Sequence, residues 1–195
     1  MGWSRFVALP FLLAIGAANP ASDPTVAYEL APEMQGDAIT ALDVTIRLRA
    51  DQSGTTTVDW INSWAGENKL GQWARDLSVD GGTSTTSAPN GGRIIRSAPG
   101  APLTMHYRIV SAYAADPTVK DSEQARPVVR PDYFYSVGES LYARPVGRDD
   151  ASASFVWSGP KEIGFASDTQ HSTGLGNRPR AVSDILESIA IRGRD

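Results

Sequence analysis

The feature that most constrains the fold of this chain is a strict alternation of apolar and polar residues between Ala41 and Arg49. Successive side chains of a β-strand point to opposite faces, so every second residue shares a face. The apolar face of this stretch carries Leu42, Val44, Ile46 and Leu48. The polar face carries Asp43, Thr45, Arg47 and Arg49. The pattern predicts a strand that is buried on one face and solvated on the other.

Further stretches of the chain have strand character. Thr55 to Val58 is rich in β-branched residues, which favour strands, and Leu103 to Tyr113 alternates again. Shorter strand candidates are residues 28–30, 94–95, 128–137, 141–143 and 154–157. Turn-forming Gly, Pro and Asn residues separate them, and residues 80–92 are expected to form a flexible hairpin loop. Short strands at this spacing predict a mainly β fold, an antiparallel β-sandwich or saddle.

One short helix is predicted near the carboxyl end of the chain. Its apolar residues recur at i, i+3, i+4 and i+7, which places them on one helical face, and Pro179 precedes them. These residues are Val182, Ile185, Leu186 and Ile189. They form a candidate domain interface. If the chain itself covers this face, it is self-contained, whereas an exposed face implies another domain or a partner.

The amino-terminal residues resemble a secretory signal. Arg5 supplies a positive charge, Phe6 to Ala18 form an apolar run, and small residues follow. The apolar run is too short to cross a bilayer as a helix. We therefore expect a signal peptide at residues 1–18, or one that ends at Ala21, and a mature protein that is periplasmic or secreted. No later apolar run is long enough to span a membrane, so no membrane partner is expected after cleavage.

Charge and composition exclude several kinds of partner and site. The formal net charge is −4 and the pI is about 5.2, and Lys and Arg do not cluster, so nucleic acid is not an expected partner. The sequence contains no Cys, so it forms neither a disulfide bond nor a thiolate nucleophile.

The sequence offers little catalytic chemistry. Its two His residues, His106 and His171, lie outside any H-E-x-x-H pattern of a zinc peptidase. Asp168, His171 and Ser172 are the residue types of a serine hydrolase, but neighbours on one loop do not easily adopt the geometry of a triad. We therefore assign no catalytic, cofactor-binding or metal-binding residue. A small hydrolase that uses His171 is kept as a third alternative.

Aromatic residues cluster in two places. The clusters are Trp60, Trp64 and Trp73, and Tyr133, Phe134, Tyr135 and Tyr142. Exposed rings would suit a platform for a sugar or a peptide, but large aromatic side chains also dominate protein cores. Core filling is the favoured interpretation, and the sequence alone does not place the rings on one face.

Several short runs occur in a collinear series. They are Leu42 to Arg49, Gly54 to Thr57, Trp64 to Glu67, Asp76 to Val79, Val110 to Tyr113, Arg130 to Phe134, Gly138 to Pro145 and Ala166 to Asp168. Together they resemble the amino-terminal region of bacterial glycyl-aminopeptidase-type zinc metallopeptidases, gluzincin-like enzymes of peptidase family M sixty-one. The resemblance spans residues 26 to 195.

This resemblance implies a β-rich amino-terminal domain followed by a catalytic domain that carries H-E-x-x-H. Residues 26–180 would form the β domain. Residues 181–195 would begin a helix and strand that lead into a catalytic domain missing from this chain. Zinc is therefore expected only in the missing domain. The expected partner is the catalytic domain of the same parent protein, and the chain alone is expected to be inactive.

The resemblance favours one function and leaves an alternative. The favoured function is a non-catalytic β domain that packs beside a peptide-binding cleft and shapes access to it. The candidate contacts with a peptide or partner are Tyr133, Phe134, Tyr135, Glu139 and Tyr142. The alternative is a self-contained periplasmic or secreted β module that binds peptides or glycans through its aromatic residues.

Overall fold

The chain folds mainly into β-strands. A computed structural model describes residues 25–118, 125–160, 166–167 and 180–192. The strands are β1 (Val26–Gln35), β2 (Ala38–Arg49), β3 (Thr55–Asp59), β4 (Ser63–Trp64), β5 (Glu67–Asn68), β6 (Ala74–Asp80), β7 (Ser84–Ser87), β8 (Arg93–Arg96), β9 (Pro102–Ile109), β10 (Val128–Val129), β11 (Phe134–Val137), β12 (Arg144–Pro145), β13 (Ser152–Trp157), β14 (Ala166–Ser167), β15 (Arg180–Ala181) and β16 (Ile189–Arg192). The helices are a 3-10 turn at Leu70–Trp73, α1 (Gly138–Leu141) and α2 (Val182–Leu186). The predicted mainly β class is confirmed.

The largest sheet contains six strands in the order β15-β13-β1-β2-β9-β6. Its neighbours pair antiparallel except for β1 and β13, which run parallel. The strand predicted from the alternating pattern is confirmed in β2. The side chains of Leu42, Val44 and Ile46 are buried, whereas those of Arg47 and Arg49 are exposed.

Two smaller sheets share one core with the largest sheet. Their strand orders are β12-β3-β8-β7 and β10-β11-β16-β14, and β4 and β5 form a separate hairpin. Ile46 of the first sheet, Ile95 of the second and Phe134 of the third are all fully buried in the same apolar cluster. The rings of Trp60 and Tyr107 meet edge to face with centroids 4.9 Å apart. Packing between the sheets therefore contributes to holding the described chain together.

Most predicted strands are confirmed, and three stretches need correction. A turn separates β10 from β11, so residues 128–137 are not one strand. Residues 80–92 are not a loop throughout, because they include strand β7. Residues 141–143 are not a strand, because Leu141 ends α1. The Tyr107 hydroxyl donates to the carbonyl of Leu141 at 2.8 Å and accepts from the N–H of Ala143 at 3.0 Å. A side chain thus satisfies backbone groups that a neighbouring strand would otherwise pair.

The carboxyl-terminal helix is shorter than its apolar pattern predicted. Helix α2 ends at Leu186, and Ile189 lies in β16, where it pairs with Val137. The Ser188 hydroxyl donates to the carbonyl of Ile185 at 2.7 Å, which closes the last helical turn. Strand pairing therefore overrides the helical spacing at Ile189.

The chain itself covers most of the predicted interface face. Val182 and Ile185 are fully buried and Leu186 is 7% exposed, whereas Ile189 is 43% exposed. Three of the four side chains thus pack inside this chain, and only Ile189 presents a large apolar surface to solvent.

Some sequence predictions fall outside the described residues. They are the signal peptide at residues 1–18 and the group Asp168, His171 and Ser172. Of the helices in the described ranges, none has both the length and the hydropathy needed to cross a bilayer.

Candidate functional site

The one-turn helix α1 is fixed at its start by close packing on α2. The N–H of Gly138 donates to the carbonyl of Ser188 at 2.7 Å. A Cβ at Gly138 would clash with the carbonyl oxygens of Ile185 and Leu186. Glycine is therefore required for the two helices to approach this closely, and this contact sets the position of the next residue, Glu139.

Two buried tyrosines fix the chain that follows α1. The Tyr107 hydroxyl bonds to both Leu141 and Ala143, and the Tyr28 hydroxyl donates to the carbonyl of Ala143 at 3.3 Å. Burial raises the pKa of Tyr28 and of Tyr107, so both hydroxyls stay protonated. Glu139 thus lies on a segment that is held at both ends.

An open cleft of about 590 Å³ lies beside α1. Its lining consists of Glu139, Arg144 and Asp149 from α1 and the chain after it, Ser183, Leu186 and Glu187 from α2 and its end, and Ile61 and Trp64 from the chain after β3. The volume lies within the usual range for small-ligand sites in proteins. Three segments distant in sequence therefore build one cavity.

Glu139 has a buried carboxyl group in the wall of this cleft. The residue is 4% exposed, and its Oε2 atom has no hydrogen-bond partner among the described residues. Burial is the main cause that raises the pKa of the carboxyl from 4.5 to about 7, and the negative charge of Glu187 contributes in the same direction. A cation in the cleft would stabilise the ionised form of this carboxyl group.

The cleft carries an excess of negative charge. Arg144 forms an ion pair with Asp149 through Nη1 and Oδ1, so its charge is offset within the lining itself. The described lining then contains the carboxyl groups of Glu139 and Glu187 in addition to that pair. This charge balance favours a positively charged ligand over an anion.

A small hairpin positions Trp64 in the cleft. Its two turn residues, Ala65 and Gly66, have φ angles of 48° and 84°, as a tight two-residue hairpin requires. Opposite Trp64, Glu67 accepts a hydrogen bond from Nε of Arg126 at 2.6 Å, which ties the hairpin to the chain before β10. Trp64 is 37% exposed, so its ring is accessible to a ligand.

The described residues do not fit a catalytic zinc ion. A catalytic zinc site uses three protein ligands, and no group of three or more His, Asp or Glu side chains in the described ranges is placed to hold a metal. His106 lies on the polar face of the largest sheet, with Nδ1 3.0 Å from the Thr45 hydroxyl, and does not line the cleft. Zinc in a separate catalytic domain stays a prediction.

Comparison with solved structures shows a similar fold in a known peptidase family. The crystal structure of an aminopeptidase N family protein from Idiomarina loihiensis matches 86% of this chain with a TM-score of 0.61 and 12% sequence identity. The match covers 29% of that protein, so this chain spans less than a third of its length. At this identity the likeness establishes the fold alone.

A second structure is more distant. An M1 zinc metallopeptidase from Deinococcus radiodurans aligns over 86% of this chain and 37% of its own, with 11% identity and a TM-score of 0.39, too low to carry an argument. No protein-family model matches the sequence, and no curated protein matches it. The structural neighbours are thus aminopeptidase N and M1 proteins. Membership in family M sixty-one and a missing catalytic domain stay predictions.

The predicted contact residues do not share one surface. Phe134 and Tyr142 are buried, and Phe134 packs 5.9 Å from the ring of Trp157, so these two rings fill the core. Tyr133 and Tyr135 are half-buried, and the described lining of the cleft includes neither. Among the predicted contacts, Glu139 alone belongs to the described lining. Contact of any of these residues with a peptide stays a prediction.

Several residues of the cleft have no recognisable signal in the sequence. Ser183 and Glu187 carry no motif, and they meet Glu139 because α1 packs on α2. In the sequence, Trp64 belongs to an aromatic cluster and to the run Trp64 to Glu67, and neither places it in a cleft. Its neighbours in that cluster, Trp60 and Trp73, are buried, so exposure separates the one accessible ring from two core rings.

Proposed function

We propose that this chain is a non-catalytic β domain that forms one wall of a peptide-binding cleft, and that Glu139 contacts the protonated amino end of the peptide. The observation that carries the proposal is that Glu139 lines an open cleft and has a buried carboxyl group whose Oε2 has no partner among the described residues. The similarity in fold to an aminopeptidase N family protein supports a peptide as the ligand.

The physical chemistry of the cleft favours a protonated amine. An ammonium group donates three hydrogen bonds and carries a full charge, so it satisfies a buried carboxylate better than a neutral donor does. Glu187 adds a second negative charge, and Ser183 adds a hydroxyl to the same lining. A blocked, uncharged amino end lacks the charge that would stabilise the ionised form of Glu139.

The wider setting is part of the same proposal. A signal at residues 1–18 would export the protein, and a catalytic domain of the same parent protein would bind zinc and complete the cleft. Residues 26–180 would then form the β domain, and residues 181–195 would lead into the catalytic domain. The resemblance to zinc aminopeptidases and the partial coverage of the Idiomarina protein support this arrangement.

The proposal is tested by titrating the purified chain with alanine amide at pH 7.5 and following backbone amide signals by NMR. We expect signals around Glu139 and Glu187 to shift with alanine amide but not with N-acetylalanine amide. Glu139→Gln should weaken binding of the free amine about tenfold or more, the factor typical for loss of a hydrogen bond to a charged group.

Glu29→Gln is the matched control because Glu29 lies on the polar face of the largest sheet and pairs with Arg47 at 2.8 Å. This variant should bind alanine amide as the wild type does. Equal binding of the free and the acetylated amide would contradict the proposal, as would unchanged binding by Glu139→Gln.

A second candidate function is a self-contained module for peptides or glycans. The burial of Val182, Ile185 and Leu186 within the chain favours it, because the helix face needs no further domain to cover it. This module would bind through Trp64 without requiring a charged amine. Binding of N-acetylalanine amide or of an oligosaccharide that is lost in Trp64→Ala would support this candidate instead.

A further inference from the structure

The lining of the cleft combines charged and apolar groups. Glu139 and Glu187 supply carboxyl groups, whereas Ile61, Trp64 and Leu186 supply apolar surface. A simple ammonium ion would use only the carboxyl groups. An occupant that uses the whole lining must carry a positive charge and an apolar group close together.

The exposed position of Trp64 is fixed by its surroundings. The turn Ala65-Gly66 and the ion pair of Glu67 with Arg126 hold the hairpin, and the N–H of Lys69 donates to the carbonyl of Asn62 at 2.9 Å. A single exposed Trp is ordinary on a protein surface. Here it shares a cleft with two other apolar side chains and with a buried carboxyl whose Oε2 has no partner among the described residues, which together define a binding surface.

We infer that the cleft selects peptides whose first residue has a bulky apolar side chain, with Trp64 as the residue that determines this preference. The inference rests on the proposed contact of Glu139 with the amino end. In an amino-terminal residue, the amine and the side chain are attached to the same Cα. One residue therefore reaches the carboxyl groups and the apolar lining together. The ring of Trp64 packs against its side chain, with Ile61 and Leu186 completing the apolar surface.

The test compares phenylalanine amide with glycine amide in NMR titrations of the full purified chain at pH 7.5. Both carry the same amine, so their difference isolates the side chain. We expect phenylalanine amide to bind about tenfold more tightly, the factor that follows from burying roughly 60 Å² of apolar surface. Trp64→Ala should bring this ratio close to one.

Two further variants control for indirect effects. Trp64→Phe keeps an aromatic ring on the hairpin and should retain most of the preference. Val156→Ala removes another exposed apolar side chain that does not line the cleft, and it should leave both affinities unchanged. The variant Trp64→Ala is folded if its NMR signals away from the hairpin match those of the wild type.

The outcomes separate this inference from the proposed function. If glycine amide binds in a manner that requires Glu139 but phenylalanine amide binds no more tightly, the side-chain preference is wrong and the amine contact stands. A preference that survives in Trp64→Ala also overturns the inference. If neither amide binds, both the proposed function and the inference are wrong.

Discussion

At the scale of single residues, Glu139 links the stability of the fold to pH. Its pKa is about 7 in the folded chain and 4.5 when unperturbed. Between these values the folded state holds a proton that the unfolded state has lost, so rising pH lowers the free energy of unfolding. The full loss is at most about 3 kcal/mol. We expect Glu139→Gln to remove this pH dependence. The free energy of unfolding of the variant, measured in urea, should therefore rise relative to that of the wild type between pH 5 and pH 8.

Glu29→Gln again serves as the control, because the pKa of Glu29 is shifted in the opposite direction. Hydrogen bonds from Ser158 and Arg47 lower the pKa of Glu29 below 4.5. Its contribution is therefore fully present above pH 5 and is lost only as the pH falls through the lowered pKa. The stability difference between this variant and the wild type should stay constant from pH 5 to pH 8. A constant difference for Glu139→Gln as well would contradict the burial of its carboxyl.

At the scale of secondary structure elements, the packing of α1 on α2 controls the cleft. Gly138→Ala introduces a methyl group against the carbonyls of Ile185 and Leu186, which must move apart. We expect a loss of about 2 kcal/mol or more in the free energy of unfolding. Forcing extra atoms into a well-packed interior typically costs roughly 1–3 kcal/mol. Urea unfolding measures this loss, and a weaker affinity for alanine amide should accompany it because Glu139 is displaced.

The comparison variant for this element is Gly36→Ala. Gly36 has a φ of 61°, and an added Cβ meets no atom within 4 Å, so only the left-handed backbone opposes the change. That strain costs about 1 kcal/mol. An equal or smaller loss in Gly138→Ala would show that α1 and α2 adapt easily and do not fix the cleft.

Strands with regular alternation could be predicted from sequence, and elements fixed by tertiary contacts could not. The alternation in β2 marked its buried face directly. Ser84–Ser87 has no apolar residue, so only its pairing with β8 makes it a strand. Ile189 fits the helical spacing of α2, but pairing with Val137 places it in β16. At both places, pairing with a distant strand determines the secondary structure against the local sequence pattern.

The same limit applies to the candidate site. Glu139 belongs to the predicted contact segment Tyr133 to Tyr142, but its burial and its raised pKa depend on α2, which lies more than forty positions later. Nothing in the sequence brings Trp64 and Glu187 into one lining. Phe134 and Tyr142 fill the core, the favoured interpretation of the aromatic clusters, because large rings are as useful inside a fold as on its surface.

At the scale of the whole molecule, the chain combines a fold similar to part of an aminopeptidase N family protein with described residues that do not form a zinc site. Its fold matches part of an aminopeptidase N family protein, covering 29% of that chain. The sequence has two His residues, no Cys and no H-E-x-x-H pattern. Within the described ranges, no three potential ligands converge on a metal position. Under the proposed function, the zinc ligands and the peptidase activity would come from a separate catalytic domain.

This view predicts that the purified chain binds no zinc stoichiometrically and does not hydrolyse aminoacyl anilides. Zinc held tightly by a protein needs several deprotonated ligands in a fixed arrangement, and isolated His or carboxylate groups hold it only weakly. Elemental analysis after dialysis from zinc-containing buffer measures the retained metal, and His106→Ala tests whether any residual zinc depends on the strand histidine. Retention of one zinc ion per chain, or anilide hydrolysis abolished by a chelator, would show that residues outside the described ranges complete a metal centre, and the chain would then be an enzyme in its own right.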